Sequence, residues 1–297
     1  MAGLKDKNTG IIRQVDLKHT KVRIFYWTCF TGLLITALIC LLPPLWVMSS
    51  SLKDIEEFFA VPATIIPRSF HPEKLLETWN KLNFGLYYLN TAKVVAGAAF
   101  FSVFFNGLAG YVLSRLKPRG SSFIMALMLW TMMIPSSISI VPLFKNIVKV
   151  PLLNSNLTNT FLPLWFMAGA SAFFVIIFKS FFDTIPGSLI ESARIDGSNE
   201  LNTFVKIVLP MSKPVIMVIL ILTVNAVWAD FLWPYLILRD NDLYTVMVKI
   251  FQMKKTIGYS TDLQVISLTF AIVPPAILFM IFQKNIVEGF TMSGIKG

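Results

Sequence analysis

An all-α, polytopic membrane protein with six transmembrane helices is predicted by three observations. The composition is too apolar for a soluble domain. Six apolar runs have bilayer-spanning length. Lys and Arg are distributed unequally between the two sets of polar segments that separate those runs.

Of 297 residues, 55% are hydrophobic and 14% charged, where a soluble domain carries about 25% charged residues. Mean hydropathy is +0.69 for a chain of 33.5 kDa. That much apolar surface cannot be buried in a water-soluble body, so an ordinary soluble enzyme, a disordered chain and a secreted disulfide scaffold are excluded. The net charge of +10 would point to nucleic acid in a soluble protein. Here it fits basic cytoplasmic loops, and no nucleic-acid partner is expected. Cys29 and Cys40 share one apolar run, about 16 Å apart along a helix, too far for a bridge; they are expected to be inert core thiols. His19 and His71 lie in different polar segments, so neither a metal site nor catalytic residues are expected.

The spans are placed at Ile24–Ser49, Tyr88–Leu113, Phe123–Phe144, Asn159–Phe178, Pro214–Leu238 and Leu263–Gln283. Each can cross a hydrocarbon core of about 30 Å. The first follows a polar, basic segment and exceeds the about 7–15 residues of a signal h-region, so it is expected to stay uncleaved. The second carries Ala98, Ser102, Asn106 and Gly110 at four-residue spacing, a small and polar stripe that lets another helix approach; packing is the favoured role and a pathway lining the alternative. Lys93 in the same span is read as snorkelling to the interface. Pro135, Pro142, Pro163, Pro234, Pro274 and Pro275 fall within the later spans, and kinks are expected there. The set of polar segments containing both termini holds 15 Lys and Arg against 10 in the other set. This places both termini in the cytoplasm. The expected organisation is a cytoplasmic segment at 1–23, a six-span domain at 24–284 and a cytoplasmic tail at 285–297.

The cytoplasmic stretch 185–213 reads as two short helices. Ser188 and Glu191 have capping-box spacing at the start of the first, and Gly197 suits the left-handed residue that ends it. Ser198 is placed to cap the second, in which Leu201, Phe204, Val205 and Val208 share one face before Pro210 ends it. Helices this short must bury their apolar faces against something, either lipid or another protein surface.

The residues Glu191, Ala193, Asp196, Gly197, Ile207, Leu209 and Pro210 resemble the EAA loop of ABC importer permeases, with Ser192 in place of the middle Ala. Further segments resemble the carbohydrate-importer, MalG-like branch of that family. They are Ala109-Gly110-Tyr111 with Arg115, Met132-Met133-Ile134-Pro135, Val141-Pro142-Leu143, Trp228-Ala229-Asp230-Phe231-Leu232-Trp233-Pro234 and the tail from Gly289 to Gly297. Ala229 stands where that branch usually has Asn. The resemblance implies a type I importer permease fold with a cytoplasmic helix-turn-helix. Glu191, Ser192, Ala193, Asp196, Gly197, Leu209 and Pro210 would form the ATPase-coupling loop. Thr291, Gly294 and Lys296 of the tail would lie at the ATPase interface.

It also implies the partners: two cytosolic ATPase subunits, a second permease subunit, usually a paralogue, and an extracytoplasmic sugar-binding protein. The chain has no phosphate-cradling G-x-x-x-x-G-K-[ST] stretch, so no cofactor is expected in it and the partner ATPases would bind ATP and Mg. The residues around Tyr244 to Tyr259 would be the outer loop that reaches into the binding protein. The implied function is sugar import across the cytoplasmic membrane by alternating access, and the chain itself is no enzyme. Candidate pathway residues are Asn225, Trp228, Asp230 and Trp233, which offer hydrogen bonds and aromatic faces. On one continuous helix Asp230 lies about 140° from Asn225, so the four do not share one cavity. For Asp230, an acid expensive in a span, hydrogen bonding to a neighbouring helix or partner subunit is one reading and lining the sugar path the other. An ion-driven transporter would need a paired intramembrane site or internal repeats, and a membrane enzyme an acid–base pair or metal cluster; neither is visible.

Overall fold

The computed structural model describes residues 19–151, 154–255 and 258–294. Most of the expected N-terminal segment, and Lys296, lie outside these residues. The described chain is helical and divides into two compact units between Leu75 and Leu76.

In the first unit, α1 (Thr20–Ser50) runs for 31 residues, about 46 Å at 1.5 Å per residue. It is apolar on all sides, and Phe25, Trp27, Leu33 and Ile39 are exposed. Cys29 and Cys40 are exposed as well. The expected core thiols are therefore a misreading: an apolar run does not bury its cysteines when the helix stands clear of its own unit. Beyond α1 comes a short turn of helix, α2 (Ile55–Phe58), and a loop closed by polar side chains. The Glu57 carboxylate accepts from Thr64 Oγ1 at 2.7 Å and from the backbone N–H of Arg68 at 2.9 Å and Ser69 at 3.3 Å. Lys53, nearly fully buried, donates to the Thr64 carbonyl. α3 (Glu73–Lys81) follows.

The second unit is organised around α4 (Phe84–Tyr111), which continues into a π-helical turn at Val112–Leu116. α5 (Ser121–Met133) and α6 (Ile140–Val148) meet at 97°. α7 (Leu162–Gly169) and α8 (Ala172–Phe182) meet at 44°. Next come α9 (Gly187–Ile195), α10 (Glu200–Thr203), a second π-turn at Phe204–Val208 and α11 (Leu209–Met211). An 84° bend at Ser212 leads into α12 (Lys213–Ala229), then α13 (Leu232–Ile237), α14 (Val246–Lys255) and α15 (Thr261–Gly294). Among the described residues three helices can cross a membrane, or six spans if each bent pair counts as one.

The expected span edges need correction. The third span is broken between Met133 and Ile140, and the fourth between Gly169 and Ala172. The fifth helix ends at Ala229 rather than Leu238. Prolines mark these changes differently from the kinks expected. Pro135 sits at the 97° break, but Pro163 and Pro214 occupy the first turns of α7 and α12. Pro142 and Pro234 likewise fall in the first turns of α6 and α13. There the missing N–H has no intrahelical partner to lose, so no kink results. Pro274 and Pro275 lie inside an unbroken α15.

The stripe on α4 is a packing seam. Ala98, Ser102, Asn106 and Gly110 are all buried. A Cβ on Gly110 would lie 2.7 Å from Cβ of Phe178 and 3.0 Å from the Lys179 nitrogen, so α8 crosses in direct contact with the α4 backbone. Thr223 Oγ1 of α12 bonds Ser102 Oγ at 3.1 Å. Asn106 donates to the Ala168 carbonyl and accepts from the Ser171 N–H, both at 2.9 Å, and so satisfies the backbone freed by the α7–α8 break.

Candidate functional site

Two features carry chemistry: the loop between α8 and α12, and a cavity beside the helix breaks. In the loop, α9 starts after Pro186 with no side-chain cap. The expected capping box is therefore absent; Ser188 lies inside the helix and its carbonyl accepts from Ser192 Oγ at 2.8 Å. The end of α9 is as expected. Gly197 has φ +81°, its N–H bonds the Arg194 carbonyl at 3.0 Å and the Ser198 N–H bonds Ala193 at 2.9 Å, the paired bonds of a Schellman end. Asn199 rather than Ser198 caps the next helix, accepting from the Asn202 N–H at 2.8 Å.

The faces also differ from expectation. Ala193 is 5% exposed and packs inward with Ile190, so its small size serves the fit of α9 against its own chain. Glu191, Ser192 and Asp196 point outward with Leu189, and Ile195 is 85% exposed. In the following segment Phe204 and Val208 are buried while Leu201 and Val205 are exposed. The buried face is centred on Thr203, Phe204 and Val208, so Leu201 and Val205 fall at the solvent edge of the apolar arc. The Leu209 N–H reaches back to the Phe204 carbonyl, and Leu209 is half-buried with Pro210 exposed.

The end of α4 holds this loop on both flanks. On the α8 side, Arg115 donates to the carbonyls of Phe182 and Ile185, and Ser114 Oγ donates to Asp183 at 2.6 Å. On the other side, the Glu200 carboxylate accepts from Tyr111 Oη at 2.7 Å and from Arg194 Nε at 2.7 Å. The Tyr111 hydrogen bond, followed by Arg194, holds the Glu200 carboxyl below the ordinary glutamate range. Tyr111, Phe178, Phe182, Ile190, Phe204 and Val208 form the buried cluster beneath α9.

The cavity, about 360 Å³, is lined by Val94, Leu164, Ser171, Thr223, Asp230 and Trp233 among others. It lies beside both the α7–α8 break and the α12–α13 break. Asp230 Oδ1 accepts from the N–H of Leu232 at 2.9 Å and Trp233 at 3.3 Å, so it caps α13 through its own chain. Because α12 stops at Ala229, the continuous-helix angle between Asn225 and Asp230 does not apply. Trp228 is turned away from the cavity: it is 9% exposed and donates to the Ala271 carbonyl of α15 at 3.0 Å. Asn225 is exposed and does not line the cavity. The structure thus brings Asp230 and Trp233 together and separates them from Asn225 and Trp228.

Toward the other end of α4, Asn90 donates to the carbonyls of Asp242 and Tyr244 at 2.7 and 3.1 Å, and Thr91 accepts from the Val246 N–H. Within the expected outer loop around Tyr244 to Tyr259, Tyr244, Val246, Val248, Ile250 and Met253 are buried. Thr291 and Gly294 lie within α15. Glu200, Arg194 and Ile195 had no local signal in the sequence; Tyr111 and Arg115 were visible only as the exit of the second span.

Residues 106–291 match the family described as binding-protein-dependent transport system inner membrane component. The chain belongs to this family. It is 31% identical over 255 residues to the probable ABC transporter permease protein YurM of Bacillus subtilis, covering 86% of this chain and 83% of that protein. It is 29% identical over 286 residues to the arabinooligosaccharides transport system permease protein AraQ of Halalkalibacterium halodurans, covering 95% and 100%. The fold matches a chain in the crystal structure of a bacterial ABC transporter involved in the import of the acidic polysaccharide alginate. The TM-score is 0.77 at 22% identity, over 93% of this chain and 99% of that one. The protein is thus an inner-membrane permease subunit of an ABC importer. In such importers the ATPase is a separate subunit, working with a second permease and a binding protein.

Proposed function

We propose that this permease imports a sugar or oligosaccharide, and that α9 is the helix through which ATP hydrolysis drives it. Similarity to AraQ across nearly the whole chain supports the substrate class. The observation that carries the coupling role is the outward face of α9. Leu189 and Ile195 are exposed beside Glu191, Ser192 and Asp196, while the opposite face, Ile190 and Ala193, is buried. Ile195, 85% exposed at the end of this anchored helix, is the apolar side chain offered to a partner. The occupant is a cleft on one of two cytosolic ATPase subunits, which bind ATP and Mg; the chain itself binds no cofactor. Both termini are cytoplasmic, and the tail with Thr291, Gly294 and Lys296 lies at the ATPase interface. A second, related permease subunit completes the path, and an extracytoplasmic binding protein delivers the sugar to the outer loops.

In this reading the cavity is the stretch of path that this subunit contributes. Its walls are mostly apolar with Ser171, Thr223 and Asp230 as polar groups, the pattern of a small-ligand site. Closure of the ATPases on ATP moves α9 and opens the cavity outward; hydrolysis reverses the motion. The test is uptake by the reconstituted complex against a panel of mono- and oligosaccharides. Stimulated ATP hydrolysis and uptake with at least one sugar is expected. Transport of amino acids or inorganic ions with no response to any sugar would overturn the substrate class.

A further inference from the structure

Energy coupling needs more than a docking helix, because α9 must be tied to the spans that move. Here the polar part of the tie comes from five consecutive residues, beside the apolar packing of Phe104 and Leu108 on the cluster under the loop. Between Tyr111 and Arg115 the chain leaves the α-helix for a π-turn, a feature that recurs at functional sites. From this turn Arg115 and Ser114 reach the residues just before α9, and Tyr111 reaches Glu200 just after it. One Glu200 carboxylate then joins three elements: Tyr111 of α4, Arg194 of α9, and α10 to which it belongs. Tyr111 is 1% exposed and its hydroxyl emerges from the buried cluster under the loop. The same α4 holds the α7–α8 break through Asn106 and the cavity-lining Thr223 of α12 through Ser102. A displacement of α9 is therefore passed to a rod that borders the cavity.

We propose that Tyr111 and Glu200 are positioning residues for energy coupling: the Tyr111–Glu200–Arg194 clamp makes α9 and α4 move as one body. This rests on the reading of α9 as the ATPase-docking helix. The buried end of the clamp is Tyr111, while the Arg194–Glu200 pair is half-exposed at the loop surface next to Ile195; its role is assigned to holding α9 on α4 and not to docking.

The test uses the full complex with Tyr111→Phe, Glu200→Ala, the double variant and Ile195→Glu. Tyr111→Phe removes one hydroxyl and keeps the buried ring, so the subunit should reach the membrane in wild-type amount. Both single variants should retain the ATPase subunits, while uptake and the ratio of stimulated to unstimulated hydrolysis fall about 5-fold or more. The double variant should be no worse than Glu200→Ala alone, because the two groups act as one unit. Ile195→Glu should instead release the ATPase. If Ile195→Glu releases the ATPase but Tyr111→Phe and Glu200→Ala transport at the wild-type rate, the clamp is overturned and the docking reading stands. If Ile195→Glu retains the ATPase and full uptake, the docking reading falls and the clamp with it. Release of the ATPase by Tyr111→Phe would also overturn the clamp, by placing it in the docking surface.

Discussion

Glu57 and Gly110 show what single residues do to this fold. Although burial alone would raise it, the Glu57 carboxyl is held at about 2 by hydrogen bonds from Thr64, Arg68 and Ser69. A carboxyl depressed on folding contributes stability that is full above its ordinary value, 4.5, and is lost as pH falls toward about 2. Glu57→Gln should therefore lower the melting temperature at pH 6, and its difference from wild type should shrink steadily between pH 4.5 and pH 2.5. A constant difference would mean that the charge is irrelevant and only shape matters. At Gly110 the α8 backbone leaves no space for a side chain. Gly110→Ala should cost about 1–3 kcal/mol by overpacking, seen as a lower unfolding midpoint of the purified subunit. The stripe containing Gly110 was legible from residue types at four-residue spacing. The inward turn of Ala193 was not, because a short helix between two bends has no sequence mark for which face meets the bundle.

At the scale of elements, the breaks matter most and were least visible. Helix α12 ends at Asp230, which caps α13 through its own backbone. Asp230→Asn keeps an acceptor oxygen and should preserve assembly and most transport. Asp230→Leu removes the cap, costing about 1 kcal/mol, and should lower the yield of complex. Equal yields for both variants would show that the cap is dispensable. Hydropathy found every apolar run because a bilayer demands length, but it is blind to direction. A bend of 44° at Ala170 and Ser171 needs no proline; its marks are small, Gly169 at the end of α7 and Ser171 capping α8. It is stabilised by Asn106, 62 and 65 residues away from its partners. Likewise, the apolar periodicity of Leu201, Phe204, Val205 and Val208 did not show that only Phe204 and Val208 face the core.

For the whole molecule, family and fold class were legible because Glu191, Gly197, Leu209 and Pro210 fall in one loop between apolar runs at fixed spacing. The central claim is that α9 presents Ile195 to an ATPase on the cytoplasmic side; by the topology expected from the sequence, the segment 50–87 that holds Ile66 is extracytoplasmic. The most direct measurement places a photo-cross-linking residue at Ile195 or at Ile66, both exposed, in the assembled importer. The account predicts an adduct with the ATPase subunit from position 195 and none from position 66. An ATPase adduct from position 66, or none from position 195 in a complex that still transports, would contradict it.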